Sequence, residues 1–300
     1  LPSFPTRRSS DLRWTKYLAA GLTALLCWGL TAAGQGRIYT RKARLADFQA
    51  KTTKVVLSGD SILDIALREE VRRRWRISPF EFCDPEDFET LRNESSYYFL
   101  YLSQDATGMA SLTLLKGGNN DSFRSLDSKL EVVKVPFSPV QISSGRELVY
   151  LSAILDIVQV FVEESLTNSA SNVLGLSYYN GNLSKARKKK IYVARDDLDQ
   201  SIADRDSADR LAPGVFAVDD FTADSLFTAG APDALVAFSI APASPSRGAR
   251  CYNLIVAADT NDLYYYQSHA YRKPGKRGFS KREIKAISKE HGYKDEKRKK

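Results

Sequence analysis

Lys54–Trp75, "KVVLSGDSILDIALREEVRRRW", is the stretch whose reading decides the fold. Lys54–Leu57 is a short β-branched run, Gly59 permits a turn, and Asp60 stands where it can cap a helix. Leu63, Leu67, Val71 and Trp75 recur every four residues, with Ile62 and Ala66 beside them. Arg68, Glu69, Arg72 and Arg73 fall toward water, and this period predicts an amphipathic helix. Strand, turn and helix in that order are the building unit of an α/β protein.

The same pattern continues outward. Ile77–Phe82 and Tyr97–Leu102 read as strands, and "DPED" at Asp84–Asp87 opens a helix with Asp as N-cap and Pro at its first position. Ala110–Lys116 is a strand that ends in the "GGNN" turn at Gly117–Asn120. Arg146–Leu166 predicts one long apolar helix, and Asp156, Gln159 and Glu163 mark it as a core helix rather than a membrane span. Lys189–Val193 is a strand, after which Asp196–Asp197 are expected to cap another helix. Ala234–Ile240 is a strand, and Arg250–Ala258 and Leu263–Ala270 form a hairpin around "DTND". The expected fold is therefore α/β, a mixed sheet with packed helices. The two halves share one order of elements, which raises two divergent copies of one unit as an alternative to a chance run. The expected units span residues 35–140 and 141–271, followed by a basic C-terminal tail with a short helix over 272–300.

Composition bounds the function. The overall charge of +8 is uneven: Arg272–Lys300 holds 13 basic and four acidic residues, Leu1–Gly34 carries +3, and Gln35–Tyr271 is left at −4. Arg13 and Lys16 precede the uncharged Tyr17–Ala33, so residues 13–34 read as a signal peptide. Ala32 and Gly34 fit the −3 and −1 positions, and an uncleaved anchor is the alternative. Leu26 before Cys27 argues against a lipoprotein signal. An exported chain seldom meets nucleic acid, so the expected partner of the basic tail is an anionic envelope surface such as lipid or lipopolysaccharide phosphate, and the expected partner of the protein is that surface or an envelope protein. Cys83 and Cys251 then remain, either bridged or as two buried thiols. The chain shows no P-loop, no Gly-rich dinucleotide loop, no His-Glu-x-x-His and no Cys pair at zinc spacing. No cofactor and no metal is expected. The acid-rich "DLDQSIADRDSAD" at Asp197–Asp209 reads as a solvated helix face. Tyr264, Tyr265 and Tyr266 read as core and edge residues of the hairpin. Ser280 and Glu283, ahead of Ile284 and Ile287, fit a capping box. The short helix they open is expected to pack Phe279, Ile284 and Ile287 on the body, while Lys294–Lys300 stays unordered.

Several resemblances accompany these readings. Phe4–Leu12, "FPTRRSSDL", resembles a translated sequencing adapter, so residues 1–12 are expected to be an artefact. "VVLSGDSIL" at Val55–Leu63 resembles the nucleophile block of the SGNH, or GDSL, esterases, and "GNND" at Gly118–Asp121 resembles their later block. That resemblance implies Ser61 as nucleophile, and Asn120 with the Ser61 amide as oxyanion donors. The family takes its base from Asp-x-x-His. Here His269 and His291 are preceded at that spacing by Tyr266 and Ser288, so the set of Ser61, Asn120 and His269 is incomplete. "KVVL", Ile62–Trp75, "ISPFEFCDPEDFETL" and "YYFLYL" resemble the α/β domain of the Tol-system periplasmic protein and the curli-secretion lipoprotein. "YNLIVAADTNDLYYYQSHAYR" at Tyr252–Arg272 gives the chain the look of a secreted bacterial envelope family. The expectation is an exported, non-enzymatic binding, scaffold or assembly-accessory protein, with the esterase as the alternative.

Overall fold

A computed structural model describes residues 45–118, 130–140, 145–202 and 208–294. The readings of residues 1–12, 13–34 and 295–300, and of Asn120, lie outside them. Among the described residues no helix is long and apolar enough to cross a membrane.

The structure is α/β and has two sheets. In the first, β1 (Thr52–Val56) leads through α1 (Ser61–Arg74) to β2 (Phe80–Cys83), parallel to β1. The chain then crosses by α2 (Pro85–Leu91) to β3 (Tyr97–Gln104), parallel on the other side of β1. β4 (Met109–Lys116) and β5 (Glu131–Pro139) complete the order β2-β1-β3-β4-β5 by antiparallel pairing. In the second sheet, β6 (Lys190–Ala194) lies between β8 (Val215–Val218) and β9 (Ala234–Ile240), parallel to both. β10 (Arg250–Ala257) and β11 (Leu263–Ala270) follow antiparallel, and β7 (Arg210–Ala212) adds an edge to β8.

Setting β7 aside, the second sheet runs β8-β6-β9-β10-β11 and repeats the first in both order and direction. The register agrees as well. Val55 pairs with Leu100 and Val56 with Cys83; Val193 pairs with Ala237 and Ala194 with Val218. The next residue in each unit is an aspartate, Asp84 or Asp219, that N-caps a helix. These helices are α2 and α6 (Asp220–Thr228); α5 (Ser169–Leu174) is a short helix earlier in the chain.

The long apolar segment joins the units. α4 (Leu151–Thr167) is apolar nearly all round, as a helix must be to lie between two sheets. Ile154, Val158 and Phe161 share one core with Val55, Leu100 and Leu114 of the first sheet and Val236, Leu254 and Val256 of the second. Each such side chain contributes roughly 1.5–3 kcal/mol by leaving water. Asp156 Oδ2 accepts from Arg74 Nη1 (2.9 Å) and Asn261 Nδ2 (2.7 Å), tying α1 to the β10–β11 turn. α7 (Lys281–His291) covers the outer face of the second sheet with Ile284 and Ile287, and Ser280 Oγ accepts the Glu283 N–H as the capping box requires. The open edge of β11 is closed by Asn180, whose amide bonds both backbone groups of Tyr266.

Two sequence expectations need correction. Arg146–Leu166 is not one helix: α3 (Arg146–Val149) ends at Tyr150, whose φ of −94° and ψ of 2° break the run before α4. The Tyr150 ring is held flat on Phe238, 4.1 Å between centroids, and its hydroxyl donates to Asp224. Asp196–Asp197 do not cap a helix; they close a single 3-10 turn, Arg195–Asp197, and Asp197 is buried rather than solvated. α4 packs on β5 and α1 as well as on the second sheet. Cys83 and Cys251 are free, buried thiols.

Candidate binding cleft

In an open α/β sheet, ligands enter the crevice beyond the carboxyl ends of the strands, where the connections part to either side. Each unit has such a point, between β1 and β3 and between β6 and β9, and each opens a cavity there. The first encloses about 510 Å³ and is lined by the ends of β1 and β3, the start of α2 and the end of β5. The second encloses about 290 Å³ and is lined by Asp196 and Asp197 after β6, Asp220 at the start of α6, and the end of β9. Phe137–Pro139 and Glu147 line both, so the two crevices are neighbours that share a wall, and together they are the candidate cleft.

At the first crevice the loop after β1 is a closed set of caps. Asp60 Oδ1 accepts the N–H groups of Ile62 and Leu63, both at 3.0 Å. Asp64 Oδ1 accepts the Ser58 N–H (2.7 Å) and hydroxyl (2.8 Å), and Oδ2 accepts the Gly59 N–H. The walls are apolar, with Leu63, Phe88, Tyr101 and Phe137 among them, and Ile62 and Val140 stand exposed at the mouth. Asp60 and Glu147 are the charged residues of the lining.

The second crevice holds a guanidinium of the chain itself. Arg146 Nη1 lies 3.1 Å from Asp197 Oδ2 and 3.8 Å from Asp220 Oδ2, and Nε donates to Asp224 Oδ1 at 3.0 Å. Burial lowers the proton affinity of Arg146, but the carboxylates of Asp197, Asp224 and Asp220 outweigh it and the group is held charged. Burial pushes Asp197 up to about 6, against the pull of Arg146, the Ser239 amide and Arg277. The segment after β11 places Asp197. Phe279 N–H donates to the Asp197 carbonyl (2.8 Å), and Asp199 N–H donates to the Phe279 carbonyl (3.0 Å). Between them Gly278 has φ +93°, and a Cβ there would lie 2.2 Å from the Asp197 carbonyl oxygen. The C-terminal segment, read in sequence as a tail, is thus a wall of the site.

Nothing matches this chain among family models, curated proteins or solved structures.

The residues named for the esterase are distributed over the molecule. Ser61 is the exposed first residue of α1, in the first unit. His269 is on β11 of the second sheet, opposite Cys251, with Nε2 2.8 Å from the Lys276 carbonyl. His291 ends α7 with Nε2 2.8 Å from the Ala186 carbonyl, and burial pushes its pKa down. Neither histidine lines either crevice. Among the described residues no group of three His, Cys, Asp or Glu is arranged to hold a metal ion. Arg146, Glu147, Tyr150 and Asp197 were missed as site residues by sequence reasoning. The available signal for Asp197 was its place directly after a central strand, where ligand contacts of α/β sheets gather.

Proposed function

We propose that this is an exported protein of the bacterial envelope that binds a partner in the cleft between its two units. Its role is that of a scaffold or assembly accessory rather than a catalyst. Export is argued from Arg13, Lys16 and the uncharged Tyr17–Ala33. The observation that carries the binding reading is an apolar crevice with exposed apolar side chains in its lining. Ile62 and Val140, 68% and 41% exposed, both line the first crevice. Apolar groups gathered at a concave site mark an interaction surface. A non-catalytic role is supported by the way the cleft's polar groups are engaged: Asp60 and Asp64 in caps, Arg146 with three carboxylates, Tyr150 with Asp224.

A photo-cross-linking residue at Val140, compared with one at exposed Lys285 on α7, tests the reading in cells. Cross-links from position 140 alone are expected; equal products from both, or none, would overturn it. Fractionation tests export: a cytoplasmic product retaining residues 17–33 would overturn that part.

A further inference from the structure

We infer that the outer edge of β2 receives an extended, acidic segment of a partner protein, which adds to the first sheet as an antiparallel strand. β2 stands at the end of its sheet, and among the described residues it pairs with β1 alone. Thr53 N–H donates to the Pro79 carbonyl (2.8 Å) and Leu57 N–H to the Cys83 carbonyl (3.0 Å), so the backbone of alternate residues from Pro79 to Cys83 faces β1. Strand alternation turns the N–H and C=O groups of Phe80 and Phe82 outward. Among the described residues no backbone group pairs with them there. The second sheet shows the equivalent edge occupied. Phe82 and Ala217 hold the same register position, opposite Val55 and Val193. Ala217 N–H donates to the Asp209 carbonyl at 3.0 Å, and β7 follows from there, antiparallel to β8. The chain itself covers this edge in one unit and leaves it open in the other, and an open row of backbone groups is a template for an added strand.

The charge beside the edge selects the partner. Arg68 and Arg72 of α1 hold their guanidiniums over the Phe82 ring, 4.8 and 5.4 Å from its centroid. Among the described residues neither has a carboxylate partner; Glu70 and Asp156 on the same helix layer are engaged by Arg74. Arg73 adds a third positive charge to this face against the single acid Glu69. In a strand paired antiparallel with β2, the residues directly opposite Phe80 and Phe82 bond their backbone and lie on their face of the sheet. Acidic side chains at those alternate positions come within reach of the two guanidiniums, which favour carboxylates. A second copy of this chain suits the edge poorly. Two β2 strands paired about a two-fold axis would set Arg68 and Arg72 of both copies side by side on one face, and facing like charges destabilise a strand pair. The chain's own ends carry the same sign: residues 1–44 hold eight basic residues and one acidic, and Arg272–Lys300 holds 13 and four. Arg68, Arg72, Phe80 and Phe82 line neither crevice, so this surface is separate from the cleft proposed above.

The probe is a labelled nonapeptide of alternating glutamate and valine, titrated into the whole protein by fluorescence anisotropy beside a counterpart with lysine for glutamate. The glutamate peptide is expected to bind at least about tenfold tighter than the lysine peptide, as charge-assisted contacts imply, and to weaken with added salt. Two further peptides test the strand pairing without altering the protein. With glutamates opposite Phe80 and Phe82, the glutamate amides point at β2 and the valine amides point away. N-methylation of the glutamate amides is therefore expected to abolish binding, and N-methylation of the valine amides to spare it. Hydrogen exchange at the amides of Phe80 and Phe82 is expected to slow when the glutamate peptide binds. The double variant Arg68→Gln, Arg72→Gln is expected to erase the preference for glutamate over lysine. Equal affinities for the glutamate and lysine peptides, no binding of the glutamate peptide, or equal loss from the two N-methylated peptides would overturn the inference. So would protection of Phe80 and Phe82 that rises with protein concentration in the absence of peptide, which would assign the edge to a second copy. The cleft reading is decided separately, by the cross-links from position 140.

Discussion

Arg146 and Asp197 lie 51 residues apart in the chain and meet at 3.1 Å between Nη1 and Oδ2. One belongs to the helix that leaves the first unit and the other to the turn that leaves the central strand of the second. Their contact locks the connecting segment into the second crevice, and it places a buried charge pair next to an open cavity. Breaking one partner leaves an uncompensated buried charge, which costs about 3–5 kcal/mol. Arg146→Met is expected to lose about that much in denaturant unfolding, and the double variant Arg146→Met, Asp197→Asn to recover most of it. Additive losses in that double-mutant cycle would show that the pair is not coupled.

Asp197 also sets a pH dependence. Its folded pKa is raised to about 6 by burial, above the 3.8 of a free aspartate. The folded state therefore holds this proton more tightly than the unfolded one. The contribution is complete below about pH 4 and is lost as pH rises through 6, amounting to about 3 kcal/mol. Asp197→Asn removes the titration, so its unfolding free energy should fall less than that of the parent protein between pH 4 and 6. Parallel profiles for the two proteins over that window would contradict the assignment.

Gly278 should be intolerant of substitution. A methyl group there meets the Asp197 carbonyl at 2.2 Å with the backbone at φ +93°, so Gly278→Ala must move the segment that positions Asp197. Gly59 has a similar φ of +84° with nothing within 4 Å of its Cβ direction, and Gly59→Ala is expected to cost only about 1 kcal/mol of backbone strain. Equal melting temperatures for the two variants would show that the approach to Asp197 is not close.

Cys83 and Cys251 are buried, and burial pushes both thiols up to about 11. Alkylation of the native protein at neutral pH should be slow at both and complete for both on unfolding, with no need for a reductant. Labelling of unfolded protein that requires prior reduction would reveal a bridge.

Much of the fold was legible because local patterns and tertiary packing agree. The strand–turn–helix of Lys54–Trp75, the Asp-Pro start of α2, the hairpin and the Ser280 capping box each follow rules of period or capping that do not depend on distant contacts. β5, β8 and α6 were not anticipated. β8 has four residues and takes its place by pairing with β6. The site was least legible. Asp197 sits in an acid-rich stretch that looks solvated, and only the bridge from Leu198 to Phe279 and the reach of Arg146 bury it. The break at Tyr150 likewise depends on Phe238, a residue of a different sheet. The Gly-Asp-Ser motif was visible, and its Asp60 carboxylate is placed as a helix cap.

The most direct test of the cleft as the binding surface is a glutamate scan of the exposed apolar residues, read as association of the purified protein with its own envelope fraction. Ile62→Glu and Val140→Glu change the lining of the first crevice; Ile65→Glu and Val173→Glu, at 66% and 61% exposure, lie outside the lining of either crevice. The first two are each expected to weaken association about tenfold or more at unchanged melting temperature, and the last two to leave it as it is. Loss of association in the last two variants, with the first two binding normally, would contradict the account.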